Sequence, residues 1–505
     1  MLPAPQPTRA SLMTGRYPWG VGYYDMKGPE MVPLSFVMLP QLLHDMGFAT
    51  HALGKWNLGN LVKDFTPTYR GFDTFTGYYA AALKDYWYHG SPGGCKASNC
   101  SGPGAGPLCS SPTDLSNSSG PTVAPADAPG VNGTFDEIVF TNEAVRLIRG
   151  ADPTKGFYMY LAYQNVHSTA QNPAILSGSH PIQAPCSVID TYCEHIAADT
   201  YKAQGGALTT LDFGVGNVTA AMDALARPYL ITFVADNGGP LPHSTNAPYR
   251  GGKHTLWDGG VRVVSFITGP LIPPARRGAK WGGLAHSSDF YSTFVEGVAG
   301  GKLPAHTGPR APDSHNLWPA LLADGPSPRT EVVHQVVNNY TIQNGLAEPA
   351  VIRVGKYKLI APSKQGAGDS RIVPWPADAP APVPFGTTGN GSRNGLSEDT
   401  DACRAPVLAV HGGAPAPAPP PGGSTCAEGC LFDLEADISE SKNLYNESAL
   451  AGTVESMTAR LVVLAASGPP WAFPCDDKTI CDEITAENCA AQDKTGFIEP
   501  TRASL

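Results

Sequence analysis

The sequence predicts an α/β fold: a mostly parallel central sheet with helices on both faces, plus a smaller C-terminal α+β lobe. Three observations predict it. Helical segments alternate with fully apolar strand segments, and strands of that composition are buried on both faces by crossover helices. Two stretches rich in proline and glycine interrupt the alternation and read as surface insertions. The chain has 505 residues, more than the roughly 250–300 residues at which a single core stops growing.

Leu39 to Met46 reads as a helix closed by Gly47, and Phe48 to Leu53 as the short strand that follows. Thr141 is expected to cap a helix running to Ile148, with a buried strand from Phe157 to Tyr163 after it. Tyr201 to Leu225 keeps a helical period despite Gly205, Gly206, Gly214 and Gly216. Tyr229 to Ala235 is the clearest buried strand. The insertions span Ser91 to Pro129 and Pro362 to Thr425. We therefore expect an α/β core over 1–330, its N-terminal strand missing, and a smaller lobe over 331–505 that carries the insertion 362–425. In that lobe Ala350 to Ile360 and Cys430 to Leu434 read as strands, and Asn446 to Ala466 as a helix.

Charged residues make up 15% of the chain and the net charge is −10. No basic field exists to hold nucleic acid or an anionic membrane, so neither is expected as a partner. No apolar run reaches the roughly 18–20 residues that span a bilayer, and residues 1–20 lack the pattern of a signal peptide, so no transmembrane segment is expected. The 11 cysteines fall in local clusters: Cys95/Cys100/Cys109, Cys186/Cys193, Cys403/Cys426/Cys430 and Cys475/Cys481/Cys489. They suit disulfide-closed loops better than zinc sites, which would need histidines at ligand spacing. N-x-S/T sequons at Asn99, Asn117, Asn132, Asn217, Asn339, Asn390 and Asn446 point the same way. The secretory pathway follows, with an extracellular or lysosomal destination.

In an open α/β sheet, ligands bind beyond the carboxyl ends of the strands, so polar residues just after strands carry the first functional information. Asp236 and Asn237 follow Tyr229–Ala235 and precede Gly238 and Gly239. Alone they read as a turn; together with further donors they are two oxygen ligands of a calcium ion. His167 follows the strand at Phe157–Tyr163, where a lone histidine is more often a packed residue. Lys55 and Lys253 stand among glycines, each a solvated cation by itself and jointly a clamp for an oxyanion.

Residues 7–16, Pro-Thr-Arg-Ala-Ser-Leu-Met-Thr-Gly-Arg, resemble the sulfatase signature C-x-P-S/T-R-x-x-L-x-T-G-R from its proline onward. Gly47 to Gly59 resembles the second signature of that family, G-Y/F-x-T-x-x-x-G-K-W-H-L-G. Arg70-Gly71-Phe72-Asp73, Val166-His167, Asp236 to Gly239, Lys253 to Gly260 and Leu431 to Leu434 follow in the family's order. The wording of the later blocks is most similar to the arylsulfatase B group.

The resemblance implies hydrolysis of a sulfate ester through a formylglycine nucleophile, made from a cysteine by the formylglycine-generating enzyme, with calcium as cofactor. It implies Asp236 and Asn237 as calcium ligands, Arg9 and Lys55 beside the nucleophile, Lys253 on a sulfate oxygen, and His167 at the ester oxygen. The sequence departs from the pattern at the nucleophile position, which is Pro5, and at Asn57, where the family has histidine. The resemblance also implies a pair of aspartates upstream of the signature, and that pair is expected to be absent from this chain. The chain as written is therefore expected to be inactive, and the alternative is a non-catalytic sulfatase-fold protein that binds anionic ligands or partners. A phosphatase or phosphodiesterase is disfavoured by the Gly-Lys-Trp and Arg-Gly-Gly-Lys wording. The hexapeptide Pro7–Leu12 recurs as Pro500–Leu505, and a buried signature has no structural reason to do so.

Overall fold

The computed structural model describes residues 5–22, 31–79, 86–87, 89, 114–120, 131, 133–167, 182–196, 199–240, 244, 246–336, 350–362, 402–404, 426, 428–467 and 487. Two compact units share the chain. One takes Pro40–Arg227 with Pro384–Ala416 and Pro474–Leu505, the other Met1–Leu39 with Pro228–Val383 and Pro417–Phe473.

The first unit is organised by a four-stranded sheet in the order β3-β2-β1-β4, formed by β1 (Phe48–Lys55), β2 (Thr74–Tyr78), β3 (Leu115–Ser119) and β4 (Gly156–Ala162). β1 pairs in parallel with both β2 and β4, and β2 pairs antiparallel with β3. The parallel-rich sheet is the predicted class. β1 enters from a helix over Leu39–Asp45 that ends at Gly47, whose φ of 85° is the left-handed conformation a helix stop favours.

Two longer helices, Asp136–Arg149 and Asp199–Asp223, pack on this sheet, with Ala144, Leu147 and Val218 against Leu53, Met159 and Leu161. A short helix over Cys186–Tyr192 and a strand pair, Gln183–Pro185 with Ala402–Arg404, complete the unit. Three of the glycines within 199–223 have a packing reason. A Cβ on Gly206 would stand 2.7 Å from Ile189 Cγ1, one on Gly205 2.9 Å from Ile196 Cδ1, and one on Gly214 2.2 Å from Glu137 Oε1.

Several expectations change. Thr141 does not start its helix, which begins at Asp136 after Phe135; its hydroxyl turns inward and donates to Glu137 Oε1 at 2.7 Å. Leu115–Ser119 and Ala402–Arg404 are strands within stretches expected to be loops. β4 is largely half-buried rather than buried, because it ends the sheet order. Cys186 and Cys193 do not pair: Cys193 is free and buried, and Cys186 is disulfide-bonded elsewhere. The cysteine clusters at 95–109 and 475–489, the repeat at 500–505 and most of both insertions lie outside the described residues.

The second unit contains the strand pair Ile231–Val234 with Ser265–Thr268, antiparallel, and a four-stranded antiparallel sheet. The expected buried strand at 229–235 is therefore a half-buried one of four residues, since a two-stranded sheet cannot cover both of its faces. The larger sheet joins Glu331–Gln335, Val351–Val354, Tyr357–Ile360 and Cys430–Asp433. It begins where the smaller lobe was expected. Its core of Val333, Ile352, Leu359 and Leu431 is capped by Met457, Leu461, Leu464 and Ala465 of the helix Ala451–Ala466, and it takes in Tyr17 and Trp19 from the N-terminal segment. Ser448–Ala466 is, against expectation, long and apolar enough to cross a membrane. Packing accounts for part of its apolar content only: Met457, Leu461, Leu464 and Ala465 are buried while Val462 and Val463 are exposed, and Arg460 on it pairs with Glu331 at 2.7 Å.

Two predictions test the fold. Glu137 is buried, and burial pushes its carboxyl up to about 7 against the opposing Thr141 hydrogen bond. Protonated, it costs nothing; ionised, it is penalised in the folded state. Stability should therefore be highest below the ordinary value of 4.5, fall as pH rises from 4.5 to about 7, and change no further above that. Glu137→Gln, which removes the ionisation, should gain on wild type across that window, by about 3 kcal/mol at its upper end. Denaturant titrations at pH 5 and 8 that show equal differences between the two proteins would refute this. Gly77→Ala should cost more than about 4 kcal/mol or prevent folding, because its Cβ would lie 1.9 Å from the carbonyl oxygen of Gly54; a wild-type denaturation midpoint would contradict the close approach.

Candidate active site

Within the second unit, two turns meet backbone to backbone. The chain leaves the strand Ile231–Val234 through Asp236-Asn237-Gly238-Gly239 and faces the segment 250–260. Gly238 N–H donates to Gly260 O at 3.0 Å, and Lys253 N–H donates to Gly239 O at 2.9 Å. A Cβ on Gly238 would stand 1.7 Å from Gly259 O, so glycine alone permits the contact. Gly251, at φ 75°, turns the segment just before Lys253.

Asn246 joins the two turns. It accepts from Gly239 N at 2.8 Å and donates through Nδ2 to Gly239 O at 3.0 Å and Gly251 O at 3.1 Å. Sequence reasoning missed it. An asparagine one residue before Ala-Pro reads as an ordinary turn residue, and nothing local shows that it bridges two loops.

The helix Pro5–Thr14 brings the first signature to the same place. Thr8 Oγ1 donates to Asp236 O at 2.6 Å, and the buried Arg9 guanidinium lies 3.3 Å from Asp236 Oδ2. Lys253 is half-buried. Burial lowers its pKa from the ordinary lysine value, Asp236 partly restores it and Arg9 lowers it further. Arg9, Lys253 and Asp236 thus form one electrostatic group of two cations about a carboxylate, suited to an incoming oxyanion. Pro5 stands in the first turn of the same helix, where proline is well tolerated because the N–H it lacks would have no helical partner.

Asn237 donates through Nδ2 to Gly238 O at 2.8 Å, and its Oδ1 is buried with no hydrogen-bond partner. An orphan amide oxygen beside a carboxylate suits a hard cation. Two oxygens fall short of the about six to eight that calcium takes, and Asp236 already faces Arg9. Among the described residues no group of three or more His, Cys, Asp or Glu side chains is placed to hold an ion. The residues described here therefore do not fit a complete calcium site.

The remaining predicted residues belong to the first unit. Lys55 is the last residue of β1 and buried, at 5% exposure. β1 keeps its hydrogen bonding beyond that point, since Trp56 N–H donates to Tyr78 O and Asn57 N–H to Tyr79 O. Asn57 takes φ 55°, a left-handed conformation that asparagine accepts more readily than most residues. His167 follows β4, the parallel neighbour of β1, so both side chains leave the carboxyl ends of adjacent strands. The His167 backbone is fixed: its N–H donates to Gln164 O at 2.9 Å, and the buried Tyr86 hydroxyl donates to its carbonyl at 2.9 Å. Asn165, two residues earlier, ties the segment to the helix Asp199–Asp223 through Ala207 O at 2.8 Å.

The sulfatase family model matches residues 3–300. Mouse arylsulfatase J is 31% identical over 372 residues, covering 70% of this chain and 56% of that protein. Human arylsulfatase A is 27% identical over 375 residues, covering 70% of this chain and 64% of its own length. This chain thus spans less than two thirds of these relatives. Among solved structures, Ps i-CgsB in complex with k-i-k-neocarrahexaose superposes with a TM-score of 0.63 at 21% identity, covering 96% of this chain and 87% of that one. The sulfatase PsFucS1 from Pseudoalteromonas sp. gives a TM-score of 0.61 at 18% identity, with 93% and 82% covered. At such identities the structural likeness is one of fold. With the signature blocks in order and a family match over more than half its length, the chain belongs to the sulfatase family.

Proposed function

We propose that this chain carries the oxyanion-binding part of a sulfuric ester hydrolase, in wording most similar to the arylsulfatase B group, and that the chain as written does not turn its ester over. The observation that carries the reading is the gathering of Arg9 and Lys253 about Asp236 at the end of a strand. Lys253 would hold a sulfate oxygen. Arg9 and Lys55 would serve the nucleophile in relatives that possess it, and His167 would donate to the ester oxygen or protonate the leaving alcohol. Asp236 and Asn237 stand at the positions that the resemblance gives to calcium ligands, but two oxygens do not complete a site, and no step of the proposed chemistry runs through the ion.

Pro5 favours the second reading, a non-catalytic relative that binds sulfate-type anions or an anionic partner. Proline has no thiol or hydroxyl for the formylglycine-generating enzyme to oxidise, so the step that makes the aldehyde has no substrate atom here. A secretory, extracellular or lysosomal setting is proposed with it. The Cys426–Cys430 disulfide and the exposure of the sequon residues Asn117, Asn217 and Asn446 support that setting.

The chain should release no phenol from a chromogenic aryl sulfate above a buffer control; sustained turnover would remove Pro5 from the nucleophile position. Inorganic sulfate should bind, and Lys253→Ala should weaken it at least tenfold, about 1.4 kcal/mol, while the exposed Lys280→Ala should not. Because burial lowers the Lys253 pKa from 10.5, its charge is lost as pH rises, starting below the ordinary lysine range. Sulfate affinity should fall in that alkaline window, and Lys253→Arg, charged throughout, should keep it. Calorimetry that finds the Lys253→Ala and Lys280→Ala variants equal would sink the assignment.

A further inference from the structure

Beneath the 250–260 segment lies a buried ionic cluster that the oxyanion site does not itself contain. Lys358, on the strand Tyr357–Ile360, donates to Asp258 Oδ1 at 2.8 Å and lies 2.7 Å from Glu440 Oε1. All three residues are at most 2% exposed. Glu440 Oε2 accepts the backbone N–H of Asp258 at 2.6 Å, and the Glu440 carbonyl accepts Arg250 at 2.7 Å. Arg250 in turn covers the Trp257 ring, 4.1 Å from its centroid. Glu440 therefore grips both ends of the segment that bears Lys253.

Glu440 is itself held in place. Its φ of 52° is a left-handed conformation that a non-glycine residue adopts at a cost. The turn around it is fixed by Asp437, which accepts from Ser441 N and Lys442 N at 2.7 Å each and from the Ser439 and Ser441 hydroxyls. A buried residue in a left-handed backbone conformation, whose carboxylate holds the Asp258 end of the loop and whose carbonyl holds the Arg250 end, does more than a core ion pair needs. Burying these charges also gains little stability over an apolar cluster of the same volume.

We propose that Glu440, with Lys358 and Asp258, is the positioning residue of the Lys253 loop, fixing the 250–260 segment and through the Gly238–Gly260 contact the Asp236–Gly239 turn. This rests on the reading that Lys253 binds a sulfate oxygen. The charge balance agrees with the geometry. Burial opposes ionisation of Asp258 and Lys358 overrides it, whereas burial, with Asp258 beside it, pushes Glu440 up to about 7 despite Lys358. A neutral amide at 440 can therefore keep the acceptor for Asp258 N–H and leave Lys358 matched by Asp258.

The test compares Glu440→Ala, Glu440→Gln and Leu461→Ala in the full chain. The last removes a buried side chain from a packing cluster separate from that of Leu256 and Trp257 and controls for stability. Two readouts are taken: hydrogen exchange of the 250–261 amides, and affinity for inorganic sulfate. Glu440→Ala should deprotect those amides while 351–360 keeps its protection, and should weaken sulfate at least tenfold. Glu440→Gln should stay within about twofold of wild type on both, a factor well under 1 kcal/mol. Leu461→Ala should lower the melting temperature without singling out 250–261. Unchanged exchange in Glu440→Ala, or the same local loss in Leu461→Ala, overturns the proposal. So does intact sulfate affinity in Glu440→Ala where Lys253→Ala abolishes it. If Lys253→Ala leaves sulfate binding untouched, the anion-site reading falls instead, and the exchange readout alone decides for or against the positioning role.

Discussion

The candidate site depends on one contact, the approach of the Asp236–Gly239 backbone to the 250–260 backbone. Gly238 N–H meets Gly260 O at 3.0 Å, and a single methyl on Gly238 would fall 1.7 Å from Gly259 O. Because two peptide planes touch with no side chain between them, the position of one turn fixes the other to a fraction of an ångström. Asp236 and Asn237 come from one turn and Lys253 from the other. Their grouping follows from the close approaches at Gly238, Gly239, Gly251, Gly259 and Gly260 and from Asn246, whose amide satisfies both turns at once. The same device recurs at Lys55, where Gly54 packs with its neighbours so closely that a Cβ would lie 2.1 Å from Ala162 O. In both places the candidate cation is mounted on backbone contacts, which have few alternative arrangements, instead of on side-chain packing, which has many.

Charge burial around these turns is graded. Nearest the surface is a group in which the buried Arg9 and the half-buried Lys253 share one partly exposed carboxylate, and burial keeps Lys253 readier than usual to lose its proton. Deeper, Lys358 is matched by Asp258 and Glu440, and Arg329 by Asp289, with Tyr17 and Ser288 completing its bonds. Deep pairs hold direction while contributing little net stability, because desolvation offsets much of their attraction. The shallow group has cationic charge to spare, as binding an anion requires. The difference between them lies at the carboxylate: the side chains of Asp258, Glu440 and Asp289 are at most 3% exposed, whereas that of Asp236, at the end of a strand, is 35% exposed.

How much of this could be read beforehand depended on whether the signal was local. The stop at Gly47 and the strand after it were legible, because a left-handed glycine and an apolar run are properties of a few adjacent residues. The C-terminal strands and helix were legible for the same reason. Thr141 misled because a threonine caps helices by local geometry, whereas here a buried Glu137 one turn earlier claims its hydroxyl. The glycines at 205, 206 and 214 lowered the expectation of a helix that exists, since the reason for them is the closeness of neighbouring side chains. The strand Leu115–Ser119, polar and in a stretch of turn formers, is a strand by virtue of its pairing with β2. The candidate site residues were named from their order along the chain. Asn246 and Glu440 were missed because their partners lie in other loops, and Glu440 lies 182 residues from Asp258.

The departures at Pro5 and Asn57 can be weighed by the same physics. Neither disturbs the scaffold: proline suits the first turn of a helix, and asparagine accepts the left-handed φ at 57. A position whose side chain serves only chemistry can change without effect on folding, while Gly238, Gly54 or Arg9 cannot, since each is fixed by contact or charge. The fold therefore constrains the group of Arg9, Asp236 and Lys253 far more tightly than it constrains position 5. In a sulfatase scaffold that keeps Arg9, Asp236 and Lys253 grouped and carries proline at position 5, the proposed anion recognition and bond cleavage would be separable properties, and the packing maintains the residues assigned to the first.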